Sequence, residues 1–215
     1  HISKHDPQLA LINTLDLLAI GTVADMAPMD RLDNRALVKG GIKQLSKTSR
    51  PGLEALMQNA NMDPNRINSS VIGFGIGPRI NAAGRIDDPM KAFELLKTRS
   101  RKEGIELSNY IESLNQRRQE LTNEAYQIAI NNMPEDPLLV PVIIVVSADF
   151  QPGIVGLVAG KLSREFNKPA IVLLQAGDEA HGSCRSVAGI DITVLLKRCE
   201  GLLDKFGGHA QAAGM

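Results

Sequence analysis

The sequence predicts an α/β fold: a helical first part, one long connecting helix, and then an α/β domain with a mainly parallel sheet. Apolar residues recur at helical spacing through most of the first 130 positions, which is typical of packed helices. Residues 142–146 are instead an unbroken β-branched run, which indicates a strand covered on both faces. A helical segment and a second apolar run follow it, and this strand-helix-strand order predicts two parallel strands.

The first part is predicted to be a series of helices with short connections. Asp6 and Pro7 suit the N-cap and first position of a helix whose apolar residues continue to Ile20. Further helices are predicted for residues 33–47, from Ser49 onward and from Asp88 onward. The glycine-rich segment from Phe74 to Arg85 is predicted to be a loop.

A single long helix is predicted near the middle of the chain. Ser100 and Glu103 have the spacing of a capping box, and one apolar stripe continues from Leu107 to Ile128. The helix is therefore about 30 residues, or roughly 45 Å, long. Because a helix of this length with one narrow stripe often connects two lobes, we place the domain boundary along it. The predicted domains are residues 1–88, 89–134 and 135–215.

The second part is predicted to alternate between strands and helices. After the strand at 142–146, the sequence predicts a helix at 153–166, strands at 170–174 and 181–187, and a helix at 191–199. A glycine-rich run then ends the sequence.

Composition limits the kinds of function that the chain can have. It is 43% hydrophobic and 22% charged, which is ordinary for a globular protein. Its 24 basic residues balance 24 acidic ones, so binding of nucleic acid would need a local basic cluster. Aromatic residues make up only 3%, so such binding would depend on phosphate contacts more than on base stacking.

The sequence also predicts where the protein is found. Cys184 and Cys199 have no metal-ligand spacing and are too few for a disulfide framework, which favours a reduced, cytoplasmic setting. No apolar run approaches the roughly 18 residues of a membrane span, and no signal peptide opens the sequence. Because the sequence starts at His1 rather than Met, we expect it to be part of a longer protein.

The segment from Phe74 to Arg85 is a candidate anion site. Arg79, Asn81 and Arg85 stand among glycines and alanines that are too small to cover them. This composition suits close approach of the backbone to an anion. We favour Arg79 as the phosphate contact because Gly77 and Pro78 fix the backbone beside it. The alternative is a loop whose arginines face water.

Asp25 is a candidate metal ligand. It follows the small and apolar residues of the first helix directly. A carboxylate in this position suits a hard cation, although such a site needs further carboxylates or histidines from elsewhere. The alternative is that Asp25 forms a local cap or turn.

Ser183, Arg185 and Ser186 are candidate phosphate-binding residues. Because strand side chains alternate, Ser183 and Arg185 are expected on one face, where the hydroxyl donates to a phosphate oxygen and the guanidinium supplies charge. The alternative is a solvated strand edge.

Gly207, Gly208 and His209 form the last candidate site. The paired glycines leave the backbone open to a ligand, and the imidazole can donate a hydrogen bond or act as an acid or base. The alternative is a glycine turn with an incidental histidine.

Four segments in this order resemble the RecJ family of single-strand-specific 5′→3′ DNA exonucleases, which belongs to the DHH/DHHA1 phosphoesterase superfamily. They are residues 21–25, 77–85, 182–186 and 207–209. The RINAAGR sequence at 79–85 together with GTVAD at 21–25 carries most of the specificity. The similarity extends from Leu15 to Gly214.

The resemblance implies a fold and a role for each candidate. Residues 1–88 would be the end of a DHH catalytic domain, 89–134 connecting helices, and 135–215 a DHHA1 domain. Asp25 matches a ligand of two Mn²⁺ or Mg²⁺ ions, and His209 matches a histidine near the scissile phosphate. The other matches are to DNA and phosphate contacts, namely Arg79, Asn81, Arg85, Ser183, Arg185, Ser186, Gly207 and Gly208.

The resemblance also implies a biological context. The substrate would be single-stranded DNA with a 5′ end, processed in DNA repair and recombination. A single-strand-binding protein and a helicase would be partners, and no membrane is involved.

The sequence departs from the family pattern in three ways. The motifs that supply the other metal ligands are absent, as is the C-terminal OB-type domain. Relatives often have Trp-His-Pro where this chain has Phe150, Gln151 and Pro152, so any role of that histidine is in doubt here. We therefore expect these residues alone to bind metal weakly and to cleave little or nothing.

Three other functions remain open at this point. One is another DHH/DHHA1 phosphodiesterase that acts on short RNA or cyclic dinucleotides. Another is a non-catalytic scaffold that binds nucleic acid. The third is a DHHA1-type module of a tRNA-related enzyme, which is disfavoured because nothing before residue 130 resembles one.

Overall fold

The computed structural model describes residues 12–215, so Asp6 and Pro7 of the predicted opening helix lie outside the described residues. The chain forms two compact units that divide between Gln116 and Arg117. This division lies inside the predicted long helix, which spans Arg101–Asn131. No helix in the described range is long and apolar enough to cross a membrane.

The first unit is helical. Its elements are α1 (Leu15–Ala24), α2 (Leu32–Leu45), α3 (Pro51–Asn59), α4 (Gly77–Ile86), α5 (Met90–Lys97) and the first half of α6 (Arg101–Asn131). Short 3₁₀, α and π turns at Pro64–Arg66, Ser69–Val71 and Ile72–Ile76 connect α3 to α4. The core consists of aliphatic side chains, including Leu45, Leu53, Leu56, Ile72, Ile76, Leu95 and Ile111.

The prediction of a loop from Phe74 to Arg85 is wrong. The segment continues from the π turn at Ile72–Ile76 directly into α4, with Pro78 in its first turn. Ala82 and Ala83 are completely buried in the core of the unit. The small residues therefore permit close helix packing, and the composition that indicated a loop instead reflects a crowded helix.

The long helix α6 is confirmed, and a hydroxyl caps its start. The backbone N–H of Glu103 donates to Ser100 Oγ at 3.3 Å, as the capping-box spacing predicts. The carboxylate of Glu103 does not complete the box, because it accepts a hydrogen bond from the hydroxyl of Thr98.

The second unit is a five-stranded sheet with helices. Its strands are β1 (Ile143–Ser147), β2 (Ala170–Ala176), β3 (Glu179–Arg185), β4 (Gly207–His209) and β5 (Ala212–Gly214), in the spatial order β1-β2-β3-β5-β4. Helix α7 (Pro152–Phe166) connects β1 to β2, and α8 (Ile192–Arg198) follows β3. The side chain of Asp191 caps α8 by accepting from the N–H groups of Thr193 and Val194.

The sheet is mixed, so the prediction of a mainly parallel sheet is wrong. The predicted β1–β2 pair is parallel, but the β2–β3, β3–β5 and β4–β5 pairs are antiparallel. The cause is the short connection after β2, where Gly177 has a φ of 64° and turns the chain straight back into β3. The α/β class itself is confirmed.

Strand β1 is an edge strand that is covered on one face only. Ile143 and Val145 are buried, whereas Ile144 and Val146 are 52% and 41% exposed. The prediction that both faces are covered is therefore wrong. A β-branched run alone does not distinguish a central strand from an edge strand.

The two faces of β3 have different environments. Cys184 packs on the α8 side against Ile192 and Leu196. It is completely buried, and this burial raises the pKa of its thiol to about 11, although the charge of Arg185 lowers it slightly. The side chains on either side of Cys184 point to the α7 face.

Candidate phosphate-binding site

Ser183 and Arg185 meet the bare backbone of α7 at Gly156. Both side chains lie on the same face of β3, as the alternation along a strand predicts. A Cβ placed on Gly156 would lie 3.0 Å from Arg185 Nη2 and 3.2 Å from Ser183 Oγ. The hydroxyl and the guanidinium therefore converge at one point, and the absence of a side chain on Gly156 keeps space between them.

Arg185 is a half-buried cation. Burial lowers the pKa of its guanidinium, and Nη1 donates to the carbonyl of Cys184 at 2.8 Å. Within residues 12–215, Arg185 forms no ion pair with a carboxylate. A partly desolvated cation without a carboxylate partner gains from an anionic ligand.

His209 lies on the same face of the sheet as Arg185. The register pairs Arg185 with Ala212 and Ala212 with His209, and residues that are directly opposite share a face. Two strand spacings separate Arg185 from His209, which is about 10 Å between Cα atoms. The neighbouring row is Ser183, Gly214 and Gly207, so only small residues lie between the polar side chains.

The two glycines before His209 differ in what they contribute. Gly208 has a φ of 155°, and a Cβ there would collide with the carbonyl oxygen of Ala212. The close approach of β4 to β5 therefore requires glycine at this position. No atom lies within 4 Å of a Cβ placed on Gly207, so this residue is the one that leaves open space.

Ser186 is oriented away from this arrangement. It follows the last residue of β3, and its hydroxyl donates to the carbonyl of Ile190 at 2.7 Å. We therefore assign Ser186 to the turn after β3.

Asp25 is the C-cap residue of α1. The N–H groups of Met26 and Ala27 donate to the carbonyls of Val23 and Thr22, both at 3.1 Å, which is the pattern of a Schellman motif. The backbone thus caps the helix, and the carboxylate of Asp25 is exposed at its end. The negative end of the helix dipole adds to the carboxylate charge and favours a cation there.

Asp25 does not complete a metal site by itself. In the part of the chain that the structure describes, no group of three or more His, Cys, Asp or Glu side chains is arranged to hold a metal ion. A single carboxylate at a helix end fits the chemistry of a Mn²⁺ or Mg²⁺ ligand. A divalent ion at Asp25 would need further ligands from outside these residues.

Arg79 forms a well-defined ion pair in the first unit. Its Nε donates to Glu112 Oε2 at 2.5 Å, and its Nη1 donates to the carbonyl of Gly75 at 2.9 Å. Both charged side chains are only 18% exposed. Arg79 therefore connects the π turn to α6, and this contact accounts for the residue without any ligand.

Asn81 and Arg85 are exposed and lie four residues apart on α4. Positions with this spacing share one helix face. Phe74, in the preceding π turn, is 86% exposed. Of the three polar residues predicted in this segment, Asn81 and Arg85 are the two with accessible side chains.

Sequence reasoning missed two residues that define these arrangements. Glu112 is one of many charged residues on α6, and no local pattern identifies it as the partner of Arg79. Gly156 had a detectable signal, because Gly153, Gly156 and Gly160 recur at helical spacing in α7. Such spacing indicates a helix face that another group approaches closely.

The second unit contains a known type of domain. Residues 137–215 match the DHHA1 domain. This match includes Gly156, Ser183, Arg185 and His209, so the convergence described above lies within the residues that match the DHHA1 domain.

Nearly the whole chain is similar to one set of proteins. It is 38% identical over 94% of its length to the single-stranded-DNA-specific exonuclease RecJ of Bacillus subtilis, of which it covers 26%. The crystal structure of RecJ from Thermus thermophilus in complex with Mn²⁺ matches 95% of the chain with a TM-score of 0.86 and 33% identity, and 30% of that structure is covered. The corresponding Mg²⁺ complex matches 94% of the chain with a TM-score of 0.84 and 33% identity, with 31% covered.

Over nearly its whole length the chain is therefore similar to RecJ exonucleases, in agreement with the resemblance carried by the sequence motifs. It spans between a quarter and a third of the length of these relatives.

Proposed function

We propose that this chain is part of a single-strand-specific 5′→3′ DNA exonuclease and supplies its 5′-phosphate-binding site. The convergence of Ser183 and Arg185 at Gly156 carries this proposal. The two side chains provide a neutral donor and a positive charge at one point, which suits a terminal phosphate.

Binding the terminal phosphate would set both the polarity and the step of cleavage. A fixed 5′ phosphate places the next phosphodiester at a fixed distance from Ser183 and Arg185. His209 shares their face at about 10 Å from Arg185, which supports a role in which its imidazole would donate to that phosphodiester. Small residues between them leave room for one nucleotide.

The metal chemistry would involve Asp25. Two divalent ions, Mn²⁺ or Mg²⁺, would activate a water and stabilise the attacking and leaving oxygens. The contribution of this chain would be one exposed carboxylate at the negative end of α1. The remaining ligands would come from a longer protein in which residues 1–88 form the end of the catalytic domain.

Asn81 and Arg85 would contact the DNA backbone. Both side chains are exposed on one face of α4, and an amide and a guanidinium are typical phosphate donors. A single-strand-binding protein and a helicase as partners, and a cytoplasmic location, belong to the same proposal.

The first prediction tests the phosphate site by binding. The 215-residue chain is expected to bind a 5′-phosphorylated oligothymidylate more tightly than the same strand with a 5′ hydroxyl, as measured by fluorescence anisotropy at low salt. Arg185→Ala should remove this preference because it removes the charge that selects the phosphate. Arg198→Ala is the matched control, since Arg198 is exposed on α8, on the opposite face of the sheet.

Equal affinity of the unmodified chain for both strands would contradict the proposed site. A separate assay adds Mn²⁺ and measures release of nucleotides from the phosphorylated strand. Little or no release is expected from these residues alone, and robust turnover would show that the metal site is complete without further ligands.

A further inference from the structure

A second guanidinium approaches the candidate phosphate site along α7. A Cβ placed on Gly160 would lie 3.5 Å from Arg164 Nη1 and 3.9 Å from Arg185 Cγ. Arg185 therefore runs along the helix surface from Gly160 toward Gly156, where its Nη2 lies. Arg164 occupies the next turn, so about 6 Å of helix separates the positions of the two charged groups.

The acidic residues nearby do not neutralise this pair. Glu165 follows Arg164 in sequence, but its Oε2 accepts from the Tyr126 hydroxyl at 2.5 Å. Lys161 lies over the ring of Tyr126 on that same side of α7, at 3.5 Å from the centroid. Within the described residues, neither Arg164 nor Arg185 forms an ion pair with a carboxylate. The glycine side of α7 thus presents two positive charges together.

We propose that Arg164 is a specificity-determining residue that makes the site select a dianionic terminal phosphate over a monoanionic diester. The proposal rests on the proposed function of Ser183 and Arg185. Two neighbouring guanidiniums repel each other in the empty site, and a ligand with more negative charge offsets more of that repulsion. A terminal phosphate carries a charge of about −1.5 to −2 at pH 7, whereas a phosphate within the strand carries a single negative charge.

This arrangement would explain how a strand end is distinguished from the strand interior. Ser183 and Arg185 alone can bind either kind of phosphate, because one guanidinium favours the dianion over the monoanion less than two guanidiniums do. The guanidinium of Arg164 on α7 adds the discrimination between a terminal and an internal phosphate. Because Gly156 and Gly160 have no side chains, Arg164 and Arg185 can both reach the ligand.

The test compares three hexathymidylates that differ only at the 5′ end: a phosphate, a methyl phosphate and a hydroxyl. The 215-residue chain and its Arg164→Ala, Arg164→Lys and Arg185→Ala variants are titrated with each at low salt. Arg164→Ala is expected to reduce the preference for phosphate over methyl phosphate about threefold to fivefold. It should leave the preference for methyl phosphate over hydroxyl unchanged.

The other variants sharpen the result. Arg164→Lys should keep most of the discrimination because it keeps the charge, whereas Arg185→Ala should lose both preferences. If Arg164→Ala weakens all three ligands by the same factor, as the control Arg198→Ala would, the proposal for Arg164 is overturned. An effect of Arg164→Ala on thermal unfolding with unchanged preferences would overturn it as well, since Arg164 would then only stabilise the end of α7.

A failure of the proposed function gives a different result. In that case the unmodified chain would not distinguish phosphate from hydroxyl at all, whatever residue stands at position 164.

Discussion

Gly156 shows how the absence of a side chain can define a candidate binding site. The residue lies inside α7, where glycine costs about 0.5–1 kcal/mol relative to alanine. Its position beside Arg185 Nη2 and Ser183 Oγ offers a reason for this cost. Because Gly156 has no side chain, the helix leaves space in which Arg185 and Ser183 would bind a common ligand.

Gly156→Ala is predicted to separate stability from binding. The higher helix propensity of alanine contributes about 0.5–1 kcal/mol to stability, and the shift of Arg185 and Ser183 away from the new methyl group offsets part of this gain. Binding of the 5′-phosphorylated strand should weaken, since the new methyl group must displace the guanidinium or the hydroxyl. Urea unfolding and anisotropy titrations measure the two effects.

Gly160→Ala is the matched control. A Cβ there makes only ordinary contacts, at 3.5 Å and 3.9 Å. It should raise stability similarly and change binding less than Gly156→Ala does. Equal losses of binding in both variants would contradict the role given to Gly156.

The surroundings of Arg79 and Arg85 differ from those that the sequence predicted. The sequence favoured Arg79 as the phosphate contact, but this guanidinium binds Glu112 and the carbonyl of Gly75. Sequence proximity to Gly77 and Pro78 indicated a fixed backbone correctly. It gave no information about a carboxylate 33 residues away on α6.

Arg79→Ala is predicted to act mainly on stability. Because both partners are only 18% exposed, losing the pair should cost about 2 kcal/mol, between the values for surface and buried pairs. Oligonucleotide binding should change little, whereas Arg85→Ala should weaken it. Urea unfolding of Arg79→Ala, Glu112→Ala and the double variant measures the coupling energy.

A result opposite to this would restore the original assignment. If Arg79→Ala leaves stability unchanged and abolishes binding, Arg79 is a ligand-binding residue despite its contact with Glu112.

At the scale of elements, helices and strands could be predicted from the sequence where an apolar pattern repeats. They were harder to predict where tertiary contacts determine the local structure. The long helix α6 followed from its apolar stripe and capping spacing. The glycine-rich segment at 74–85 did not look helical, because burial of Ala82 and Ala83 outweighs low helix propensity. The strand β3 was found, but its direction was not.

The direction of β3 had a usable signal that was overlooked. Gly177 and Asp178 form a two-residue connection between runs that pair in antiparallel register. A glycine beside an aspartate between two strands is typical of a hairpin turn. No comparable signal exists for the β4–β5 hairpin, whose connection is Ala210 and Gln211.

The cap of α1 yields a prediction at the same scale. Met26 adopts a φ of 56°, which costs a non-glycine residue about 1–2 kcal/mol. Met26→Gly is therefore expected to stabilise the chain by about 0.5–1 kcal/mol after the entropic cost of glycine is subtracted. Thermal unfolding followed by circular dichroism measures the change.

Met29→Gly provides the comparison, because Met29 is not in a left-handed conformation. That variant should be neutral or less stable. Stabilisation by both substitutions would mean that the left-handed backbone of Met26 is not the cause.

At the scale of the whole molecule, the balance of 24 basic and 24 acidic residues conceals local separation of charge. Along α7, Lys161 and Glu165 lie with Tyr126, whereas Arg164 lies with Arg185. The net charge of the chain excluded an overall basic surface. The net charge could not show that Arg185 of β3 lies against the same face of α7 as Arg164.

The described residues contain only one part of a candidate metal site, the carboxylate of Asp25. The family motifs identified Asp25, and its place at the end of α1 suits a cation. Within residues 12–215 no further His, Cys, Asp or Glu side chains are grouped with it to hold a metal ion, so local geometry adds no ligand to Asp25.

Because Cys184 is buried, its reaction with a thiol reagent reports on opening of the second unit. This thiol stands between Ser183 and Arg185 in sequence but is buried beneath α8, whereas Cys199 is exposed. A thiol reagent reaches Cys184 only when the residues that cover it, among them Ile192 of α8 and Met215, move away, while Cys199 reacts at the rate of an exposed side chain. The ratio of the two labelling rates therefore measures how often the cover of β3, the strand with the candidate phosphate site, opens. A nucleotide bound on the α7 face would be detected by its effect on the labelling of Cys184 on the opposite face.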